Sequence, residues 1–363
     1  MTLDATIDAL LDAPLYGLPQ AEKAARLTDA LAALTRHHRA ACPAYRRLTD
    51  VLGSGERVPA GVADVPWLPV GLWKSHRLVS VADDQITTTL TSSGTTGQVP
   101  SRVYLDAATA RRQARALAKV MTHVLGPRRL PMLVVDTDAV LADRRAFSAR
   151  GAGVLGMMTF GAQPVFALTP TLELDRAAVD QFLARHGHAP FLVFGFTYLV
   201  WAYLLERLDQ RGLDLRHGTL IHSGGWKALA ERAVDDATFR ARLAAATGLT
   251  RSYNFYGMVE QIGAAFLEGD DGLLYPPVFA DVIIRDPFTL APVPTGTPGV
   301  IEVVSVLPTS YPGHAILTED LGVVVTVDAG VGGRLGQAVR VLGRLPRAEV
   351  RGCSDTHAAG VAP

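Results

Sequence analysis

Apolar positions recur at helical spacing over residues 20–39, with Ala24, Leu27, Leu31 and Leu34 on one face, and this predicts an N-terminal helix that ends at Cys42-Pro43. A Gly/Pro/Val-rich connection follows, and then PWLPVGLWKSHRLVS (66–80). Residues 86–90 and 101–105 alternate or carry β-branched side chains in series, which predicts a strand on each side of a turn. The spacing predicts a helix over 107–125, short buried strands at 132–136 and 191–194, and helices over 174–186 and 198–211. Strands alternating with helices imply an α/β fold with a parallel or mixed sheet. The longest apolar run, 189–205, is at the short edge of a membrane span, but Gly195, Thr197 and its charged flanks favour a buried strand, turn and helix.

Beyond about Gly272 the pattern changes to Pro/Gly turns between valine-rich runs at 281–285, 299–306 and 322–327, which reads as a β-rich subdomain. The expected organisation is an α/β core over 1–271, a β-rich subdomain over 272–345 and a hinge-like tail over 346–363 that carries Cys353. A chain of 363 residues, 48% apolar and with zero formal net charge, is long enough for a large core. The same figures argue against disorder and against a nucleic-acid partner. Arginine carries nearly all the positive charge; the lysines are Lys23, Lys74, Lys119 and Lys227. Two cysteines, Cys42 and Cys353, provide neither a disulfide framework nor zinc spacing. The first residues, MTLDATIDALLDAPLYGL, lack the basic start of a secretory signal, so the expected compartment is the reducing cytoplasm.

The candidate chemistry starts at LTSSGTTGQVPSRVYLD (90–106). Gly94 and Gly97 let backbone approach an anion, while Ser92, Ser93, Thr95 and Thr96 offer hydroxyl and N–H donors to phosphate oxygens. The loop is not of the Walker type, which needs Gly-Lys-Ser/Thr opening a helix. Alone, such a segment is more often a plain surface loop. Ser223-Gly224-Gly225, after the apolar Leu220-Ile221, is a second tight turn where backbone can lie against a planar base; an ordinary strand-to-helix turn fits equally well. Tyr256-Gly257-Met258-Val259-Glu260 joins an aromatic ring that can stack on adenine to a carboxylate suited to magnesium on phosphates. Cys353 is a workable acyl carrier, since thiolates are strong nucleophiles and thioesters remain transferable, and Arg347 and Arg351 are placed to lower its pKa. An incidental or packed cysteine is the competing reading. Cys42 reads as buried packing.

Taken together, WKSH (73–76), SSGTTG (92–97), HSGGWK (222–227), NFYGMVEQ (254–261) and GRLPRAEVRGCSDT (343–356) resemble the adenylate-forming enzymes. The closer resemblance is to the bacterial acyl-protein synthetase family of the bioluminescence fatty acid reductase system, which LTRHHRAACPAY (34–45) also matches. The motifs span nearly the whole chain in the family's order. This resemblance implies a large adenylate-forming-type α/β domain with mixed sheets and helices plus a small β-rich subdomain, without the usual C-terminal domain. It also implies that Ser223 to Gly225 line the adenine pocket and that Glu260 holds Mg²⁺. Asp320, in TEDLG (318–322), would bond the ribose hydroxyls, with Arg344 as a second ribose or phosphate contact; an Asp capping a turn is the plainer alternative. Cys353 would carry the activated acyl group.

Two departures weigh against a simple transfer of the mechanism. Ordinary adenylate-forming enzymes use a lysine in the C-terminal domain, and none follows Lys227 here. Their phosphate loop usually ends in Pro-Lys, where this chain has Pro100-Ser101-Arg102; Arg102 restores charge but not point-donor geometry. Lys74 and Lys227 are the available substitutes, and His76 is a candidate base or acyl contact, or a structural histidine. The expected reaction uses ATP and Mg²⁺ to activate a fatty or aryl carboxylic acid as acyl-AMP, then passes the acyl group to Cys353 and on to a carrier-protein or reductase partner. Two alternatives stand beside it. One is an acyltransferase that moves an acyl group from acyl-CoA or a carrier without adenylation, and the other is a non-catalytic nucleotide- or acyl-binding scaffold.

Overall fold

The computed structural model describes residues 2–53, 57–92, 99–142, 149–208, 212–226 and 233–345. They form two compact units, one from residues 2–91, 99–120 and 257–345, the other from Ser92 and 121–256.

The first unit opens with α1 (Leu3–Asp12), whose first turn is capped by Thr2, its hydroxyl oxygen accepting from the Ala5 N–H at 3.3 Å. The predicted N-terminal helix is α2 (Gln20–Ala41), with Leu27, Leu31 and Leu34 fully buried. Cys42 leaves helical geometry, Pro43 takes the first position of α3 (Pro43–Val51), and the Cys42 sulfur accepts from the Tyr45 N–H at 3.4 Å. Cys42 is thus both buried packing and a helix cap. Next come β1 (Leu68–Pro69) and α4 (Leu72–Ser75), a single turn anchored by the buried Trp73. The two strands expected around the serine-glycine turn are β2 (Ile86–Thr91) and β3 (Arg102–Asp106), antiparallel, with Thr91 opposite Arg102. Asp106 then caps α5 (Ala107–Leu125), accepting from the Thr109 N–H at 2.8 Å. Thr109, Gln113, Ala116 and Val120 form the buried stripe of that helix.

The second unit is a parallel sheet with helical crossovers. Its elements are β4 (Leu130–Val135), α6 (Ala149–Met158), β5 (Gly161–Phe166), α7 (Arg176–His186), β6 (Phe191–Phe196), α8 (Thr197–Leu199, continued by a π turn, Val200–Leu205), β7 (Gly218–Ser223), α9 (Asp236–Thr247) and β8 (Arg251–Tyr256). The strand order is β5-β4-β6-β7-β8, every pair parallel. β6 is buried at all six positions, as a strand covered on both faces must be. The apolar run at 189–205 therefore divides into a strand and a short helix, and among the described residues no helix is long and apolar enough to cross a membrane. The helix expected over 198–211 ends at Leu205, and residues 209–211 lie outside the described set.

The chain then returns to the first unit with β9 (Phe266–Glu268), β10 (Leu274–Tyr275), β11 (Ala280–Arg285), β12 (Gly299–Ser305), β13 (Ala315–Val327) and β14 (Gln337–Arg344). Their order is β11-β12-β13-β14-β10-β9, antiparallel where registers are defined, while β1 lies parallel to β13 with Leu68 opposite Ile316. In this unit α2 and α3 meet the sheet through a buried polar cluster. His314 Nε2 lies 3.0 Å from Thr35 Oγ1 and 3.3 Å from the Tyr45 hydroxyl, and the His38 ring stacks on His314 with centroids 5.0 Å apart.

Candidate functional site

In the parallel sheet of the second unit, β5 lies on one side of β4 and β6 to β8 on the other, so the strand order reverses between β4 and β6. The carboxyl edge beside such a reversal is where open α/β sheets bind ligands. Ser223, Gly224 and Gly225 leave β7 on this edge, with Phe196 of β6 and Phe255 of β8 in the same row as Ser223. Gly224 has φ of +82°, a left-handed conformation that side chains rarely adopt, and a Cβ there would stand 3.6 Å from the Phe196 ring. Two buried residues hold the turn. Thr197 Oγ1 lies 2.9 Å from His222 Nδ1 and 3.3 Å from the Ser223 carbonyl oxygen. Burial lowers the His222 pKa to about 3, so its ring is neutral. Tyr256, half-buried, ends β8 beside this turn.

The first unit holds the acidic and basic candidates. Glu260 lies in a 3₁₀ turn, Val259–Gln261, and is 4% exposed. The buried Ser101, just before β3, hydrogen-bonds its carboxylate. The turn is pinned from behind: the Tyr311 hydroxyl donates to the Glu260 carbonyl at 2.9 Å, and the Gln261 amide donates to Val303 and Gly313 carbonyls at 3.1 and 2.9 Å. Gly263 is left-handed (φ +87°), and a Cβ there would meet the Gln113 carbonyl at 2.6 Å, so the exit from the turn requires glycine. Burial raises the Glu260 pKa; the Ser101 bond and Arg344 oppose this, and Glu319 adds to it. Asp320 and Arg344 are cross-strand partners in β13 and β14, with Arg344 Nε 3.3 Å from Asp320 Oδ1. The two proposed ribose contacts are therefore brought together. The Thr318 hydroxyl anchors the same stretch to the Ile301 carbonyl at 2.7 Å and accepts from the Asp320 N–H at 3.1 Å.

A magnesium ion fits these donors. Glu260, Glu319 and Ser101 offer oxygen ligands alone, and a cation would relieve the cost of ionising a buried carboxylate. Among the described residues no group of three or more His, Cys, Asp or Glu forms a ready cage. That suits a metal held by one or two carboxylates together with substrate phosphates.

Of the remaining candidates, those on α4 and β3 lie close together: α4 packs against β3, and β3 also borders the Val259–Gln261 turn. Lys74 is half-buried on α4, next to the Trp73 anchor; His76 is exposed, with Nδ1 2.9 Å from Ser75 Oγ. Arg102 is exposed at the start of β3, Ser92 is half-buried, Gly257 is exposed and Met258 half-buried. Ser93, Gly94, Thr95, Thr96, Gly97, Lys227 and Cys353 lie outside the described residues.

The full-length spread of motifs has its counterpart in a family comparison: the model for "Acyl-protein synthetase, LuxE" matches residues 2–361. The chain belongs to the LuxE acyl-protein synthetase family. It is 24% identical over 320 residues to the long-chain-fatty-acid–luciferin-component ligase of Vibrio harveyi, covering 85% of this chain and 81% of that protein. The protein of the same description from Aliivibrio fischeri is 22% identical over 302 residues, covering 81% and 78%. Among solved structures, an open conformation of 2-hydroxyisobutyryl-CoA ligase in complex with 2-HIB-AMP and CoA superposes with a TM-score of 0.69 at 19% identity, over 91% of this chain and 71% of that one. That likeness establishes the fold, which this chain shares with the CoA ligase over most of its length. As an acyl-protein synthetase the chain is an enzyme, an acid–thiol ligase that uses ATP to form an acyl adenylate and transfers the acyl group to a thiol.

For an acyl-protein synthetase of this kind, sequence reasoning assigned no site role to Ser101, Thr197 or His222, which the structure places in contact with candidate site residues. Ser101 stood in the sequence as a departure from Pro-Lys, and the signal it carried was a small hydroxyl directly after the loop. Thr197 lies 25 residues before His222, and parallel pairing of β6 with β7 joins them. No local pattern marks such a pair.

Proposed function

We propose that this acyl-protein synthetase activates a fatty acid, with Mg²⁺ held by Glu260 and with Cys353 as the first thiol acceptor before an acyl-accepting carrier protein or reductase. The long-chain-fatty-acid ligase names of its relatives favour a fatty over an aryl acid. The observation that carries the reading is the convergence in one unit of three motifs far apart in sequence: Ser101 beside the phosphate-loop segment, Glu260, and the Asp320–Arg344 pair.

In this mechanism a carboxylate oxygen of the acid attacks the α-phosphorus of ATP, the bond to the β-phosphate oxygen breaks, and pyrophosphate leaves. A thiolate then attacks the acyl carbon, and AMP leaves as the thioester forms. Mg²⁺, if held by Glu260, would supply charge neutralisation for the phosphates. Ser101 orients the Glu260 carboxylate, and Tyr311 and Gln261 keep its turn from shifting. Arg344 holds Asp320, the candidate ribose contact, and within the second unit the Thr197–His222 pair fixes the Ser223–Gly225 turn, the candidate base contact. Lys74, Lys227 and Arg102 are the cations available to the transferring phosphate, and His76 is the candidate base.

ATP–pyrophosphate exchange with a panel of fatty and aromatic acids tests this on wild type and Cys353→Ser. Acid-dependent exchange is expected in both, fastest with fatty acids, with a hydroxylamine-sensitive acyl-enzyme in wild type alone. No exchange with any acid would overturn the reading in favour of transfer from acyl-CoA. A labelled Cys353→Ser enzyme would instead move the acceptor to another thiol.

A further inference from the structure

A basic, partly apolar patch lies at the end of α2 and on α3, lined by residues to which no nucleotide, metal or acyl role is assigned above. The formal charge of the whole chain is zero, yet residues 30–60 carry five arginines against Asp50 and Glu56, the latter outside the described residues. Asp50 is paired with Arg39 at 2.8 Å. Arg36, Arg39 and Arg57 line a groove of about 330 Å³ floored by Ala32, Thr35 and Pro59. Arg46 and Arg47 lie exposed on the outer side of α3. Beside them stand two of the three most exposed large apolar side chains among the described residues, Val51 at 86% and Val58 at 82%, together with Leu52 at 50%.

We propose that this patch docks an acidic face of the thiol-bearing carrier protein that receives the acyl group, a reading that rests on the proposed function. Exposed aliphatic side chains beside a groove, rimmed by arginine, have the composition of a protein interface. Guanidinium groups pair in bidentate fashion with carboxylates, and clustered like charge selects a partner of the opposite sign and speeds encounter. The excess charge is small for a phosphate-rich polymer, whose binding scales with the number of phosphates neutralised. A lipid surface is met by aromatic and leucine side chains on an amphipathic helix. Here the apolar members are two valines and one leucine at the end of α3 and in the segment after it.

The test is titration of fluorescently labelled holo-acyl carrier protein with the full-length enzyme, by anisotropy, at low and high salt. Wild type binds with an affinity that weakens as salt rises; Arg36→Glu/Arg57→Glu raises Kd roughly tenfold or more and flattens the salt dependence. Acid-dependent pyrophosphate exchange stays at the wild-type rate in the same variant, because neither residue belongs to the adenylation site. If the charge reversal fails to fold by circular dichroism, Arg36→Gln/Arg57→Gln replaces it, with a smaller rise in Kd expected in the same direction. An unchanged Kd in the folded variant overturns the proposal, as does failure of the carrier to bind wild type. Sedimentation with phosphatidylserine vesicles that the reversal abolishes would also overturn it, in favour of a lipid surface. Loss of exchange in wild type would instead strike the proposed function, while the binding titration still reads the patch.

Discussion

Glu260 carries a carboxyl that burial pushes above its ordinary pKa, so the folded protein holds a proton there at pH values where the unfolded chain has released it. Its contribution therefore lowers stability as pH rises above the unfolded value. Glu260→Gln removes that penalty and keeps a similar shape beside Ser101. The expected outcome is unchanged or slightly increased thermal stability at neutral pH, with Mg²⁺-dependent pyrophosphate exchange reduced by about 10²-fold or more. Parallel melting and exchange assays separate the two effects. Thr197 makes the complementary case, because its hydroxyl lies between His222 Nδ1 and the Ser223 carbonyl. Thr197→Val leaves both groups without that partner; a cost of about 1–3 kcal/mol is expected, with a raised KM for ATP and little change in kcat. A loss of stability without any change in KM would make Thr197 purely structural.

At the scale of elements, β11 and β12 are joined by a buried ion pair between Arg285 and Glu302. Arg285 also donates to the Leu290 carbonyl at 2.9 Å and to the Ala63 carbonyl at 2.7 Å, and its guanidinium lies 5.6 Å from the Trp67 ring centroid. One side chain thus ties the strand pair to the segment that leads into β1. Arg285→Met is expected to cost about 3–5 kcal/mol, because it leaves the Glu302 carboxylate buried without its partner. Arg285→Met/Glu302→Leu should recover most of that loss, and urea unfolding of both variants checks it. The elements legible in the sequence were those with strong periodicity or composition: α2, α5, α7, β2, β3, β4, β6 and the valine-rich strands β11 to β13. β5 was not legible, because GAQPVF contains proline and glycine and reads as a turn; it forms a strand by pairing in parallel with β4.

Over the molecule as a whole, three buried histidines set the acid limit of stability. Burial holds His38 well below its ordinary pKa and lowers His314 and His222 to about 3. In the unfolded chain each takes a proton near pH 6.5, so the unfolded state binds more protons below that value and stability falls as pH drops. His38 and His314 share the first unit, and together they should steepen its stability loss from about 1.4 kcal/mol per pH unit at about pH 6.5 to about 2.7 at about pH 5. His314→Gln is expected to lower stability at pH 7.5 through its Thr35 and Tyr45 contacts, yet to halve the acid slope. Denaturant midpoints across that pH range measure both.

By itself the sequence determined the fold class and the family, since short motifs at Trp73 to His76, Ser92 to Gly97, His222 to Lys227 and Asn254 to Gln261 are local and keep their order along the chain. It also determined the candidate chemistry, because glycine-rich turns, a carboxylate and a thiol are recognisable by residue type. Tertiary structure alone decided which of these residues meet. The bond from Ser101 to Glu260 and the Asp320–Arg344 pair depend on strand register, and register is set by burial across a whole sheet. The neutral state of His222 likewise follows from packing between strands and helix α9, where Phe239 lies 4.9 Å from its ring. Such contacts join residues from 17 positions apart (His222 and Phe239) to 159 positions apart (Ser101 and Glu260), beyond the reach of a local pattern.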